Sequence, residues 1–270
     1  MVLDKKNVLV VGSSGFLGRA IVKRLRAHTV ISTYNRTPLP DAIRYNFFED
    51  DVRTICDEFD VDTVIFAAAA EKEVSENFEA SVDRFLRGCQ GRRLVYLSSD
   101  AVFSGEKGRY TERDSPNPIT SYGRNLLHFE TRIAETCEDY CVVRPSYIYG
   151  FSDGLDARLA RTRAALQKGE QFTSFSDMFK SPLGVKQVAE AVVDFSASDF
   201  TGVVHVAGER MSVFDFYYRA MKTLGVSADS LKREAMPKDA GLTPDTSLAT
   251  SLWQRLTGMT PLSIEETLAE

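Results

Sequence analysis

The stretch Asn7–Gly18, NVLVVGSSGFLG, decides the fold. Asn7 to Gly12 carries a short continuous apolar run, the pattern of a strand buried on both faces. Gly12, Gly15 and Gly18 then form G-x-x-G-x-x-G. The next residues, FLGRAIVKRLRAH, put Phe16, Leu17, Ala20, Ile21 and Leu25 near helical spacing. A glycine-rich turn between a first strand and a first helix suits the pyrophosphate of a dinucleotide. One glycine makes the turn, one lets backbone approach phosphate, and one lets the helix pack on the strand. The helix start adds unpaired N–H groups and the positive end of its dipole, which makes Ser14, Phe16 and Leu17 cofactor positions beside the glycines.

Outward from this turn, strand and helix signals alternate. TVISTYN, Thr63–Ala67, Arg92–Ser99 and YCVVRPSYIYG read as strands, with helices between them. Strands separated by helices pair in parallel through right-handed crossovers, so the fold class is α/β, a Rossmann-type doubly wound sheet. After Gly150 the rhythm weakens. Residues 1–150 are expected to form the NAD(P)-binding domain, with parts of 181–206 returning to it. Residues 151–270 are expected to form mainly a smaller α/β substrate lobe, ending in loop and short helix.

The composition is that of an ordinary globular chain. Of 270 residues, 43% are hydrophobic and 26% charged, with 33 basic and 38 acidic side chains for a net charge of −5. No Lys/Arg block suggests nucleic acid as a partner. No long apolar run suggests a signal segment or membrane span, and a cytoplasmic location is expected. The four cysteines, Cys56, Cys89, Cys137 and Cys141, complete no zinc pattern and read as free thiols, so no metal is expected.

The end of the second strand selects between dinucleotides. An acidic residue there would bind the adenosine ribose diol and repel a 2′-phosphate. The segment is STYNRT, with Asn35 and Arg36 and no acid before Asp41. Arg36 can pair with the phosphate, which favours NADP over NAD.

VGSSGFLG, LSSDAVFSG, YTERDSPNPITSYGR and VVRPSYIYG together resemble the extended short-chain dehydrogenase/reductase family, and within it the dTDP-4-dehydrorhamnose reductase group. That group also holds the regulatory β subunit of methionine adenosyltransferase. The resemblance spans nearly the whole chain and is strongest from Leu97 to Gly150. It implies that Ser99 hydrogen-bonds a substrate carbonyl and that Tyr122 delivers the proton as hydride arrives from nicotinamide. It places Ala67, Ala68, Ala69, Arg144 and Pro145 against the cofactor. It places Asp100, Val102, Phe103 and Tyr149, and more loosely Phe179, Lys180 and Asp245, toward the substrate. The implied substrate is a nucleotide-linked sugar with a keto group, and a homodimer is in keeping with the family.

The chain departs from this pattern behind Tyr122. Where the family carries lysine four residues after the tyrosine, this sequence has Leu126. Ser81 stands where a supporting asparagine is usual, and Ala101 where an aromatic residue is usual. Positions four apart share a helix face. A lysine there supplies charge-assisted hydrogen bonds of about 1.5–3 kcal/mol each and lowers the tyrosine pKa by about 1–3 units. Leucine does neither. A phenol with its usual pKa of about 10 remains a proper acid for reduction but a poor base for oxidation. Arg124 and His128 lie off the Tyr122 face. Asn125 is near it but uncharged. Lys72, Lys107 and Lys180 could arrive only through the fold. Two other readings therefore stand beside the reductase: a dinucleotide-binding regulatory protein, and an epimerase or lyase of nucleotide sugars. Asp100-Ala101 lacks the acidic pair that the sugar dehydratases carry after the strand hydroxyl.

Overall fold

The computed structural model describes residues 5–73, 75–237 and 241–269. The first four residues, and 238–240 in a segment read as loop, lie outside them. The first half of the chain runs β1 (Asn7–Val11), α1 (Phe16–Arg24), β2 (Thr29–Tyr34), β3 (Ile43–Arg44), α2 (Val52–Glu58), β4 (Thr63–Phe66), α3 (Phe78–Gly88), β5 (Arg93–Leu97), α4 (Ser121–Thr136) and β6 (Tyr140–Pro145). The second half runs β7 (Ile148–Tyr149), α5 (Ala157–Gln167), β8 (Phe172–Phe175), β9 (Phe179–Lys180), β10 (Leu183–Gly184), α6 (Val185–Ala197), β11 (Gly202–Val206), β12 (Met211–Ser212), α7 (Val213–Thr223), β13 (Leu231–Glu234), α8 (Ser251–Thr257) and α9 (Ile264–Leu268).

Seven strands form one sheet in the order β11-β6-β5-β4-β1-β2-β3, every pairing parallel. The fold is the doubly wound sheet expected from the alternation of strand and helix. In β1 the pleat sends Leu9 and Val11 into one core and Val8 and Val10 into the other. That division explains why the strand is apolar throughout rather than alternating. The first core packs α2, α3 and α4 on one face through Ile55, Phe85 and Phe129. The second packs α1, α6 and α8 on the opposite face through Ile21, Val188 and Trp253.

A third core, around Leu159, Phe216 and Leu268, holds α5, α7 and α9 together beside the sheet. The parallel pair β8 and β13 borders it. The division by sequence position is less clean than a split near residue 150 suggests. β11 edges the large sheet and α6 packs on α1. The fully buried Trp253 also belongs to the sheet's core, although it sits in the tail read as lobe.

Candidate active site

The strand order reverses between β1 and β4, and a cleft of about 730 Å³ opens at the carboxyl ends of the strands there. This is where an open α/β sheet offers a ligand site, because adjacent connections leave in opposite directions. Gly12 takes a φ of +91°, and a Cβ on it would lie 2.7 Å from the Ala68 amide nitrogen. A Cβ on Gly18 would overlap the Gly12 carbonyl oxygen, so that glycine sets the helix-to-strand approach. Gly15 is the N-cap of α1 and no side chain caps the helix. The amides of its first turn are thus left for a ligand, and Ser14, Gly15, Phe16 and Leu17 line the cleft. Ala67, Ala68 and Ala69 form the facing wall, with Pro145 further along it. The space kept clear of Cβ atoms fits a dinucleotide pyrophosphate.

Asn35 and Arg36 line the cleft beyond β2. The Arg36 side chain is 78% exposed and pairs with Glu73 at 2.5 Å. A 2′-phosphate would have to compete with that carboxylate for the guanidinium.

The corner that holds Ser99 and Tyr122 lies at the other end. Ser99 follows β5 and caps the short 3₁₀ turn Asp100–Val102, accepting from the Ala101 N–H. Thr120 caps α4 by accepting from the Gly123 N–H at 3.0 Å. A Cβ on Gly123 would strike the Ala101 carbonyl and, at 2.8 Å, the Pro118 ring. The glycine after Tyr122 therefore lets the start of α4 abut the turn that carries Ser99. Ser99 and Tyr122 both line the cleft as a result. Burial, then the charges of Glu71 and Asp100, push the Tyr122 phenol well above its usual range, and a hydrogen bond with Ser99 opposes them more weakly. The phenol is thus a more securely protonated group than sequence spacing alone suggests.

Asp100 is anchored rather than free. Its Oδ2 accepts from Lys180 Nζ at 3.0 Å, Thr246 Oγ1 at 2.6 Å and Ser146 Oγ at 3.0 Å, and its Oδ1 from Ser99 Oγ at 2.9 Å. Burial alone would raise its pKa, but the Lys180 charge and these hydrogen bonds outweigh it and hold the carboxyl below its usual value. Asp100 ties β9 and the Thr246 segment to the sheet, and its lowered pKa makes it a weak base for proton abstraction.

Behind Tyr122, Leu126 is 1% exposed and belongs to the core shared with Phe129 and Phe66. Ser81 is buried and accepts from Arg84. The 3₁₀ turn Ala70–Lys72, just past β4, faces this helix. Asn125 Nδ2 donates to the Glu71 carbonyl at 3.0 Å, and Tyr96 Oη donates to the Glu71 carboxyl at 2.6 Å. Glu71 lines the cleft but is only 2% exposed. Desolvation raises its pKa to about 7, against the hydrogen bond from Tyr96 and the charge of Lys72. Lys72 Nζ lies 5.7 Å from the centroid of the Tyr122 ring.

Several expected contacts are not brought to the cleft. Val102 and Phe103 are fully buried, with Phe103 stacked on Tyr110 at 4.1 Å between centroids. Tyr149 packs against Phe216 in the third core. Arg144 is buried in a bidentate pair with Glu130, at 2.9 and 2.5 Å, and supports β6 from inside. Of the loosely assigned residues, Asp245 holds Arg210 at 2.8 Å and Phe179 lies under that guanidinium at 3.5 Å. Their placement has a common cause. Much of the long motif between Leu97 and Gly150 fastens loops, as when Asp114 accepts from the Thr111 N–H and from Lys107. Glu71, Tyr147 and Arg158 line the cleft without having been singled out from sequence. Arg158 lies 3.7 Å over the Tyr147 ring, and the Tyr147 hydroxyl meets that of Tyr217 at 2.7 Å. Tyr147 lies within VVRPSYIYG, but no local motif marks Glu71 or Arg158, since the three converge from separate elements.

A parallel seven-stranded sheet with a glycine cradle at its switch point defines a Rossmann-type α/β protein. The chain belongs to the RmlD substrate binding domain family, whose match covers residues 6–270. It is 29% identical over 252 residues to a Haloferax volcanii protein named "Probable low-salt glycan biosynthesis reductase Agl14", covering 84% of this chain and 83% of that one. It is 30% identical over 158 residues to the zebrafish (Danio rerio) methionine adenosyltransferase 2 subunit beta, covering 54% of this chain and 49% of that protein. Among solved structures, a hypothetical dTDP-4-dehydrorhamnose reductase from Sulfolobus tokodaii superposes with a TM-score of 0.82 at 25% identity, covering 96% of this chain and 98% of that one. The resemblance read from the motifs therefore holds at the level of family and fold. Among the described residues no helix is long and apolar enough to cross a membrane.

Proposed function

We propose that this chain is a reductase that converts a keto group of a nucleotide-linked sugar to an alcohol, with NADP as the favoured nicotinamide cofactor. One observation carries the reading: Ser99 and Tyr122 meet in the cleft that the glycine cradle opens, and the phenol is held protonated there. A nicotinamide cofactor, when held by the glycine cradle, would supply the hydride for the carbonyl carbon. The chain's residues handle the oxygen. Ser99 orients it by turning its one O–H from Asp100 Oδ1 to the carbonyl oxygen, and Tyr122 gives its O–H proton to it, leaving a phenolate that takes a proton back from solvent. Gly12, Gly15 and the first turn of α1 hold the dinucleotide phosphates. Asn35 and Arg36 stand at the adenosine end, and release of Arg36 from Glu73 would let it hold a 2′-phosphate. Asp100 is too fully engaged to act as a base, which weighs against dehydration or epimerisation by that group.

The test is NADPH oxidation by the purified protein with nucleotide-linked 4-keto sugars, dTDP-4-dehydrorhamnose among them. Turnover that Tyr122→Phe abolishes, with dinucleotide binding kept, is the expected result. Tight dinucleotide binding without turnover on any such sugar would instead favour a regulatory role of the kind performed by the methionine adenosyltransferase β subunit.

A further inference from the structure

Proton transfer from a buried phenol leaves a negative charge beside two carboxylates, Glu71 and Asp100. That transfer is slow unless a cation attends it. Among the described residues, the cations lining the cleft are Arg36, Lys72 and Arg158. Arg36 is paired with Glu73, and Arg158 lies on the Tyr147 ring and donates to the Ile148 carbonyl. Lys180 and Lys107 are engaged by Asp100 and Asp114. Lys72 alone of these has no ion pair or hydrogen bond from its ammonium, and it is the one set over the Tyr122 ring. Its position is built. The Lys72 N–H donates to the Ala69 carbonyl, and the adjoining Glu71 carbonyl is clamped by Asn125, three residues after Tyr122 on α4. The turn and the helix thus set the ammonium 5.7 Å from the centroid of the phenol ring.

We propose that Lys72, delivered by the turn after β4, is the positioning cation for proton transfer from Tyr122, in the place that Leu126 leaves without charge. The proposal rests on the reductase reading of this cleft. In the step itself the Tyr122 O–H bond breaks and a new O–H bond forms on the sugar oxygen, while the nicotinamide is oxidised and the carbonyl reduced. Lys72 stabilises the phenolate left behind and gives up no proton of its own. The charged and titratable groups facing Tyr122 are Glu71 on the turn, Asp100 after β5, and the buried Tyr96 on β5; the Lys72 charge acts on Glu71, and its ammonium stands 5.7 Å from the Tyr122 ring centroid.

Lys72→Met is expected to lower kcat for reduction by about 10²-fold while substrate and NADPH KM values change less than about threefold, and Lys72→Arg to restore most of the rate. A second readout needs no turnover. With 3,5-difluorotyrosine at position 122, more acidic than tyrosine, the fluorine resonance reports ionisation directly. Its midpoint is expected to rise by about one pH unit in Lys72→Met. An unchanged midpoint together with an unchanged kcat overturns the assignment of Lys72. A shifted midpoint in a protein that reduces no nucleotide sugar keeps Lys72 as the partner of Tyr122 and defeats the reductase reading instead.

Discussion

The two ends of the cleft are built by different means. The cradle at Gly12–Leu17 is made of backbone, and its requirements are steric and local: remove a Cβ here, leave an amide free there. The corner at Tyr122 is made of side-chain charge, gathered from a turn after β4, a turn after β5 and the start of α4. The cradle can therefore be damaged by one added carbon and restored by nothing else. The corner tolerates a different arrangement so long as a charge of the right sign arrives. On the proposal made for Lys72, a leucine can occupy a position where a lysine was expected without the site losing its cation.

The largest effect is expected at the corner. Tyr122→Phe should lower the reduction rate by about 10²–10⁴-fold, because the proton donor paired with Ser99 in the cleft is removed, and should leave dinucleotide affinity within about threefold. Steady-state kinetics and calorimetry on one preparation separate the two. Next comes the cradle. Gly18→Ala sets a methyl group against the Gly12 carbonyl, where backbone must move, and should cost about 1–3 kcal/mol in stability with loss of dinucleotide binding. A chemical melt and a titration with NADP check this. If Gly18→Ala binds NADP normally, the contrast between a rigid and an adaptable end fails.

Glu71 gives a smaller effect with a definite sign. Its folded pKa, raised to about 7 chiefly by desolvation, exceeds the ordinary carboxylate value. The neutral form then favours folding, fully so below the unfolded pKa, and this contribution is lost as pH rises through about 7. Glu71→Gln should accordingly flatten the fall in stability between about pH 4.5 and 7 and be the more stable protein at pH 8, by about 3 kcal/mol. Melts of both proteins across that range decide it. The smallest effect belongs to the exposed pair at the adenosine end. Arg36→Ala should weaken NADP by about fivefold and leave NAD unaltered, while Glu73→Gln should strengthen NADP by a similar factor. Equal losses for both dinucleotides in Arg36→Ala would remove the reason for preferring NADP.

The same contrast accounts for what could be read from the sequence. Gly12, Gly15 and Gly18 act on neighbours within a few residues, so their spacing carried their role. The central strands of the sheet announced themselves because they are buried on both faces, as Val8 and Leu9 illustrate, whereas the short, partly exposed edge strand β3 carried no such signal. Ser99 and Tyr122 were legible through the motifs around them. The neighbourhood of Tyr122 was not, because Lys72 reaches it through a hydrogen bond between Asn125 and Glu71, 54 positions apart. No helical period or local motif encodes that meeting. The motif residues Phe103, Arg144 and Tyr149 show the opposite failure: they were recognisable but assigned to ligand, whereas burial gives them to the scaffold. A long family motif mixes residues that touch ligand with residues that hold the loops in shape, and only packing separates them.

The central claim is that charge at this corner comes from the turn after β4 and not from α4. The most direct measurement is kcat for NADPH-dependent reduction in two variants made side by side, Lys72→Met and Leu126→Met. A loss of about 10²-fold is expected in the first and less than about threefold in the second, since Leu126 contributes only apolar packing that methionine replaces. Equal rates in the two variants, or a greater loss at Leu126, would contradict it.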